Sequence, residues 1–454
     1  MTTRRRLPRL PARRPPLPLG LSAILAIALL AAGCGGGSGG GEATAACDGR
    51  IDGRQTLTVW ARAGSAGERT VLDSQVATFN QRSESNVQVR VVHVPPAEYL
   101  AKVEAASAKG ELPDVVELDG ALLPRFAWKG DLRPLFGCLN DDLKANLLPR
   151  ITEQGTYDGT LYGVGADDAG LAMYARRSVL EGNGLRVPSG FEDAWTSEET
   201  TAALTKLKSA GFDKPLELRR GDTRAEWWDL AYAPIVYSAG GDLLDRGSAA
   251  SAQGFLNDPA VVKAMTQLQG WFSKGLVQQP RASDAFVRGD AAIAYAGQAQ
   301  YAAYKQAFGA DLVVLAPPDW GNGTRSGMGT SPWSITKAAG DGDAAWQFIN
   351  FQLADDQVLE TTATNGALPA TRSALAKSPQ FADGQPMSFF LRELQDPEVA
   401  VARPQTPAYP ALDTAFQQAV RDIAGGKDPK AALDAAVGAI DADIKTNDGY
   451  RPRR

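Results

Sequence analysis

The sequence predicts an α/β fold built on open parallel sheet. Three observations carry this. Short β-branched runs alternate with segments of helical spacing, no fixed-period repeat is present, and 454 residues are enough chain for two or three domains. In order, residues 57–60 read as a first strand, followed by a glycine-rich turn at 63–67. Residues 68–82 have helical spacing, with Val71, Leu72, Val76 and Phe79 on one side. Residues 87–94 are continuous and β-branched, a second strand; 99–109 is a helix and 114–118 a third strand. That alternation is what a parallel sheet requires, because parallel neighbours need a crossover. Farther on, helices are expected at 193–210, 259–274, 344–353, 411–424 and 429–446, and strands at 291–295 and 312–315. Proline and glycine punctuate the run at 187–190, 317–329 and 403–410.

The N-terminus reads as an address. Residues 1–33 carry Arg4, Arg5, Arg6, Arg9, Arg13 and Arg14, no acid, and the apolar stretch LGLSAILAIALLAA at 19–32. Fourteen residues fall short of the roughly 20 needed to span a bilayer, so this is a secretion signal. Ala31-Ala32-Gly33-Cys34 resembles the bacterial lipobox, which makes Cys34 the expected lipidated first residue of the mature chain. Residues 35–46, GGGSGGGEATAA, have almost nothing to bury and form a flexible tether with a reach of about 20 Å. The expected position is the extracytoplasmic face of the cell membrane, held by an N-terminal lipid anchor.

Composition excludes several functions. The chain has 47 basic and 52 acidic residues; without the six arginines of the signal, 41 remain against 52, a net charge of −11. An acidic body argues against nucleic acid and against electrostatic adhesion to anionic lipid. The single histidine, His93, ends an apolar strand and reads as structural; with no CxxC pair, a zinc cluster is excluded. Tyr295, Tyr301 and Tyr304 have no histidine nearby to complete an iron site, so no metal or cofactor is expected. No GxSxG, GxxxxGK[ST] or HExxH motif occurs. Once Cys34 is lipidated, Cys47 and Cys138 remain, and in an oxidising compartment they can pair or stay as thiols.

Several segments, in order from 57 to 444, resemble the extracellular solute-binding proteins of bacterial ABC importers, in the carbohydrate class that includes maltose-binding protein. They are Thr56-Leu57-Thr58-Val59-Trp60 with Phe79-Asn80, Leu112-Pro113-Asp114-Val115-Val116 through Asp119, and Gly130-Asp131-Leu132-Arg133-Pro134-Leu135. Asp158-Gly159-Thr160-Leu161-Tyr162-Gly163-Val164, Phe286-Val287-Arg288-Gly289-Asp290 and Gly366-Ala367-Leu368-Pro369-Ala370-Thr371-Arg372 follow. Gly165 stands where the family often has proline, and Met328-Gly329-Thr330-Ser331-Pro332-Trp333 replaces its usual GG-W arrangement.

The resemblance implies a two-lobed, type II binding-protein fold with ligand clamped between lobes joined by crossing hinge segments. It divides the chain into lobe 1, residues 47–165 plus about 330–375, and lobe 2, about 166–329 plus 376–446, with 447–454 as a tail. The expected function is capture of a carbohydrate and its delivery to ABC permease subunits by a monomer that is not an enzyme. A surface-tethered glycoside hydrolase, or a sensor domain with the same fold, are the alternatives. Sugars present apolar ring faces and polar rims, so a site for them wants flat aromatics beneath and carboxylates or amides at the edges. Trp60, Glu68 and Asp119 follow strand ends. Trp227, Trp228, Tyr232 and Trp333 supply aromatics where the cleft is expected, and Asp168, Gln298 and Arg372 are polar residues in comparable loops. Trp227 and Trp228 are adjacent and point different ways, so one of them is core. Trp271 and Trp346 lie within helical patterns and read as core, as do Trp128 and Trp195.

Overall fold

The computed structural model describes residues 46–82, 86–219, 226–278 and 284–451, all within one compact unit. The signal, Cys34 and the tether up to residue 45 lie outside the described residues. None of the described helices is long and apolar enough to cross a membrane.

Two sheets organise the body. The first runs Val87–Val94, Gln55–Arg62, Val115–Glu117, Trp333–Ile335, Gly163–Val164 in spatial order. Its first three strands are parallel, with Gln55 opposite Val87 and Arg62 opposite Val94. Trp333–Ile335 then joins antiparallel to both its neighbours. Both faces are covered. Leu57, Val59 and Ala61 pack with Val76 and Phe79 of helix Ala66–Arg82 and with Phe348 of helix Gly342–Gln352. Trp60 and Val116 look the other way, toward Tyr99 and Val103 of helix Pro96–Lys109 and Phe126 of helix Leu123–Lys129. Period-2 alternation thus feeds two separate layers of apolar side chains.

The second sheet runs Leu312–Leu315, Leu171–Arg176, Ile293–Gly297, Leu216–Glu217. Leu171–Arg176 is antiparallel to both neighbours, so this sheet is mixed where the sequence suggested parallel. Helices Glu226–Ser238, Pro259–Ser273, Tyr409–Ala424 and Pro429–Thr446 supply its largest core.

Between the sheets the chain crosses three times, and the crossings lie side by side. Asp167–Asp168 pairs antiparallel with Leu368–Pro369, and Ala169 bridges to Gly329. The approach is close enough to exclude side chains: a Cβ on Gly165 would sit 1.9 Å from Thr330 Oγ1, and one on Gly170 would sit 2.0 Å from Glu393 Oε2. A second connection runs through the segment after Val115–Glu117. Asp119 pairs with Arg403 at 2.8 Å, Arg125 Nη1 donates to the Tyr450 hydroxyl at 2.9 Å, and Trp128 Nε1 donates to the Arg451 carbonyl at 2.8 Å.

Cys47 and Cys138 form a disulfide across a Cα separation of 5.2 Å, which decides between pairing and free thiols. Beside it, Ala46 N donates to Pro134 O, and the Asp48 and Gly49 amides donate to the Asp343 carboxylate, so the start of the described chain is fastened to the first sheet's layer.

Differences from the expected elements have local causes. The 193–210 helix begins at Ser197, because Thr196 and Glu199 make a reciprocal cap there, while Asp193 accepts instead from the Ser189 and Gly190 amides. Helix Glu226–Ser238 was not visible in the sequence; a helix apolar nearly all round shows no 3.6-residue stripe and is buried. Leu171–Arg176 escaped for the parallel reason, a central strand covered on both faces.

Candidate functional site

A cleft of about 610 Å³ opens between the two sheets. From the first sheet it takes Arg62 and Glu117 at strand ends, the start of helix Ala66–Arg82 with Glu68, and Trp333. From the second it takes Gln298 and Gln300 after strand Ile293–Gly297, Trp227 from helix Glu226–Ser238, and Arg219. The crossing strands give Asp167, and helix Asp355–Asn365 closes one wall with Thr361, Thr364 and Asn365. This is where an open α/β sheet places a ligand, at the carboxyl ends of its strands.

Of the expected residues, Glu68, Trp227, Gln298 and Trp333 line this cleft. Glu68 accepts from the Ser65 amide at 2.7 Å while its own amide donates to Ser65 Oγ, a reciprocal cap that fixes the carboxylate at the helix start. Gln298 Nε2 donates to the Gly366 carbonyl at 2.7 Å and its Oε1 accepts from the Gly170 amide at 3.3 Å, so it bolts the second sheet to two crossing segments. Trp333 is 7% exposed and packs edge-on against Phe348, leaving a narrow strip of ring for the cleft.

Six others are placed elsewhere. Trp60 packs in the layer against Tyr99, with Lys102 Nζ 4.3 Å above its ring. Asp119 is buried and held by Arg403, two residues past the strand residue, Glu117, that does reach the cleft. Asp168 turns inward to accept from Gln154 Nε2 at 3.0 Å, while Asp167 beside it faces the cleft. Trp228 and Tyr232, one helical turn apart, stack on each other at 5.4 Å with the Arg421 guanidinium 4.9 Å from the tryptophan ring. All three, Trp227 included, belong to the core; of the adjacent tryptophans Trp227, 1% exposed, is the one whose ring also edges the cleft. Arg372 is exposed and donates from Nε to the Ala145 carbonyl. The structural tryptophans behave as expected for Trp195 and Trp271, both buried, while Trp346 is only partly buried against the first sheet's core.

The cleft residues that sequence reasoning missed include most of its charged groups. Arg62 N donates to Glu117 Oε2 at 2.8 Å, its guanidinium stands 3.7 Å from Glu117 Oε1, and it also bonds Ser331. Asp167 accepts from Asn365 Nδ2 at 2.6 Å. Burial pushes the Asp167 and Glu117 carboxyls above the usual range; Arg62 opposes this, and mutual repulsion with Glu68 adds to it. Arg219 stands 3.7 Å from buried Glu217 and donates to Gln300. His93 is paired with Asp73 at 2.8 Å. Groups of three or more His, Cys, Asp or Glu suited to a metal are absent among the described residues.

Residues 74–387 match the family model for bacterial extracellular solute-binding proteins. This chain belongs to that family. Membership puts the body of this solute-binding protein on the extracytoplasmic side of the membrane. A binding protein of Brucella abortus (strain 2308) is 23% identical over 369 residues, 78% of this chain and 84% of that one. Among solved structures, the solute-binding protein is similar to the GacH receptor of Streptomyces glaucescens GLA.O, determined unliganded and with acarbose: TM-score 0.74, 23% identity, 87% of this chain and 99% of that chain. It is also similar to a cyclic α-maltosyl-1,6-maltose binding protein from Arthrobacter globiformis, with TM-score 0.69, 23% identity, and 87% and 100% coverage. A third, the sugar-binding protein MalE from Xanthomonas citri, gives TM-score 0.71 at 20% identity over 87% of this chain and 98% of that one. These likenesses establish the two-lobed type II fold of the solute-binding protein.

Proposed function

We propose that this solute-binding protein captures a carbohydrate, closes its lobes around it and delivers it to the permease of an ABC importer. The observation that carries the reading is the cleft of about 610 Å³ itself, lined by many polar side chains and edged by the buried rings of Trp227 and Trp333 on opposite sides. Flat aromatic edges with carboxylates, amides and guanidinium groups around them suit a ligand that is apolar on its faces and polar on its rim. The sugar ligands named for the similar structures from Streptomyces glaucescens and Arthrobacter globiformis support the same class. Because the ligand would touch both lobes, it binds the closed arrangement better than the open one, and that difference drives closure.

The lobes we assign are residues 47–165 with about 330–375, and about 166–329 with 376–446. The mature chain works as a monomer held to the membrane by lipid on Cys34. Thermal melting with a panel of neutral mono- and oligosaccharides tests the capture. A ligand at a hundred times its Kd adds about 2.7 kcal/mol of stability, and it is recovered unchanged afterwards. A panel that leaves the melting temperature flat, or a sugar that is consumed, counts against the reading.

A further inference from the structure

Arg403 stands where the first lobe's chain and the crossings meet the second lobe. Its Nη2 donates to both carboxylate oxygens of Asp119, at 2.8 and 2.9 Å, and the two residues are only 4% and 6% exposed. Asp119 begins the turn after strand Val115–Glu117. Its Oδ1 also accepts from the Ala121 amide at 2.9 Å, and Ala121 packs in the same apolar core as Trp227 and Tyr409. The guanidinium lies against a crossing as well, since a Cβ on Gly329 would come within 3.2 Å of Nη2. The next crossing residue, Thr330, accepts from the Gly120 amide at 3.2 Å through its carbonyl. Toward the second lobe the guanidinium stands 5.8 Å from the centre of the Tyr409 ring, whose hydroxyl donates to Asp229 at 2.6 Å.

These contacts make a continuous path between the two walls of the cleft. Asp119 lies two residues past Glu117, which lines the cleft from the first lobe, and Asp229 lies two residues past Trp227, which edges it from the second. Burial raises the Asp229 carboxyl, and the Tyr409 bond and the Arg403 charge oppose that rise. Burial and the Asp229 charge push Asp413 up, so the anions that Arg403 faces are Asp119 and Asp229.

From this geometry we propose that Arg403 is a positioning residue for lobe closure: by clamping the turn at Asp119 onto the second lobe, it fixes the axis about which the cleft walls approach, and it does so from outside the cleft. A buried pair that only stabilised the core would be replaceable, because removing both charges together spares the cost of leaving either one alone. A pair that sets an axis is not replaceable in that way. Hydrogen bonds are directional, and apolar packing in their place would let the turn slide against the crossing. The proposal rests on the two-lobed fold and not on which solute is carried.

The test measures the separation of the lobes in the ligand-free protein. Nitroxide labels on Glu98→Cys of the first lobe and Lys305→Cys of the second, both exposed positions, report it by pulsed dipolar spectroscopy, with Cys34→Ser removing the remaining thiol. A single narrow distribution is expected with Arg403 in place. Asp119→Asn/Arg403→Met removes both charges while the asparagine still accepts from the Ala121 amide; it should melt cooperatively and give a broader distribution. Arg403→Lys, which keeps a cation opposite Asp119, should stay near the original width. If the double variant fails to fold, Asp119→Asn alone, which leaves Arg403 facing Asp229, should show the same broadening. Equal widths in the folded variants and the unaltered protein overturn the inference and make the pair a packing contact only. Because no sugar enters the measurement, its failure is separate from any failure of the carbohydrate reading.

Discussion

Side chains one residue apart in this protein have opposite roles, and the cause is the two-residue period of extended chain. Asp167 reaches the cleft while Asp168 turns inward to Gln154. The sequence named the dipeptide as a loop feature, but a two-residue strand is too short to show which member faces which side. Asp119 was misplaced for a different reason: its partner, Arg403, lies 284 residues away and no local pattern announces it. The tryptophan pair was expected to divide into one cleft and one core residue; both are core, and Trp227 alone also edges the cleft. Trp227→Ala should therefore cost about 1–3 kcal/mol of ligand binding, ten- to a hundredfold in affinity by titration. Both Trp227→Ala and Trp228→Ala should lower stability by about 3–5 kcal/mol in denaturant unfolding, because each empties a core position, while Trp228→Ala should leave the affinity of the folded protein unchanged. Asp168 makes a pH prediction. Burial pushes its carboxyl up to about 7, with the charge of Asp167 adding to the effect. A raised acid binds its proton more tightly in the folded state, so its contribution is intact below pH 4 and is lost as pH rises through 7. Buried Glu393, raised well above its usual range, acts in the same direction. The melting temperature should fall from pH 5 to pH 8, and Asp168→Asn should recover part of that loss; an unchanged slope in the variant would refute the assignment.

Among elements, those with a visible period or cap were read to within a few residues. Leu312–Leu315 and Pro429–Thr446 coincide with their expected spans, since one is β-branched and closed by prolines and the other starts at Asp-Pro. The polar helix Asp355–Asn365 was missed because little of it is apolar: only Gln357, Val358 and Thr362 are buried. That omission hid Thr361, Thr364 and Asn365, a whole wall of the cleft. Two element-scale outcomes follow from the fastenings. Thr196→Ala removes the side-chain half of a capping box and should cost about 1 kcal/mol. Reducing the Cys47–Cys138 bond opens a closure of 91 residues, for which loop entropy gives a loss of about 4–5 kcal/mol at most. Equal unfolding midpoints with and without reductant would show that the unfolded chain gains nothing from release.

For the whole molecule, family-level order along the chain carried the fold, whereas the cleft's charges came from residues the order does not mark. Cys34→Ser should move the protein from the membrane fraction to the soluble one with an unchanged melting temperature, because the described fold starts at Ala46, already bonded to Pro134. Ligand should shrink the radius of gyration in small-angle scattering as the lobes close. Gly170→Ala, which drives a methyl into Glu393 where the lobes are joined, should cost about 1–3 kcal/mol of stability and blunt that shrinkage.

The three adjoining crossings also decide what kind of motion is available. A single linking strand would let one lobe wobble, twist and slide against the other, and a ligand would have to freeze all of those freedoms on arrival. Three strands laced together at Asp167–Asp168, Leu368–Pro369 and Gly329 behave like a door on several pins, which swings about one axis and does little else. Much of the disorder that capture would otherwise have to remove is then removed when the chain folds, and every closing event presents the same outline to whatever stands at the membrane to receive it.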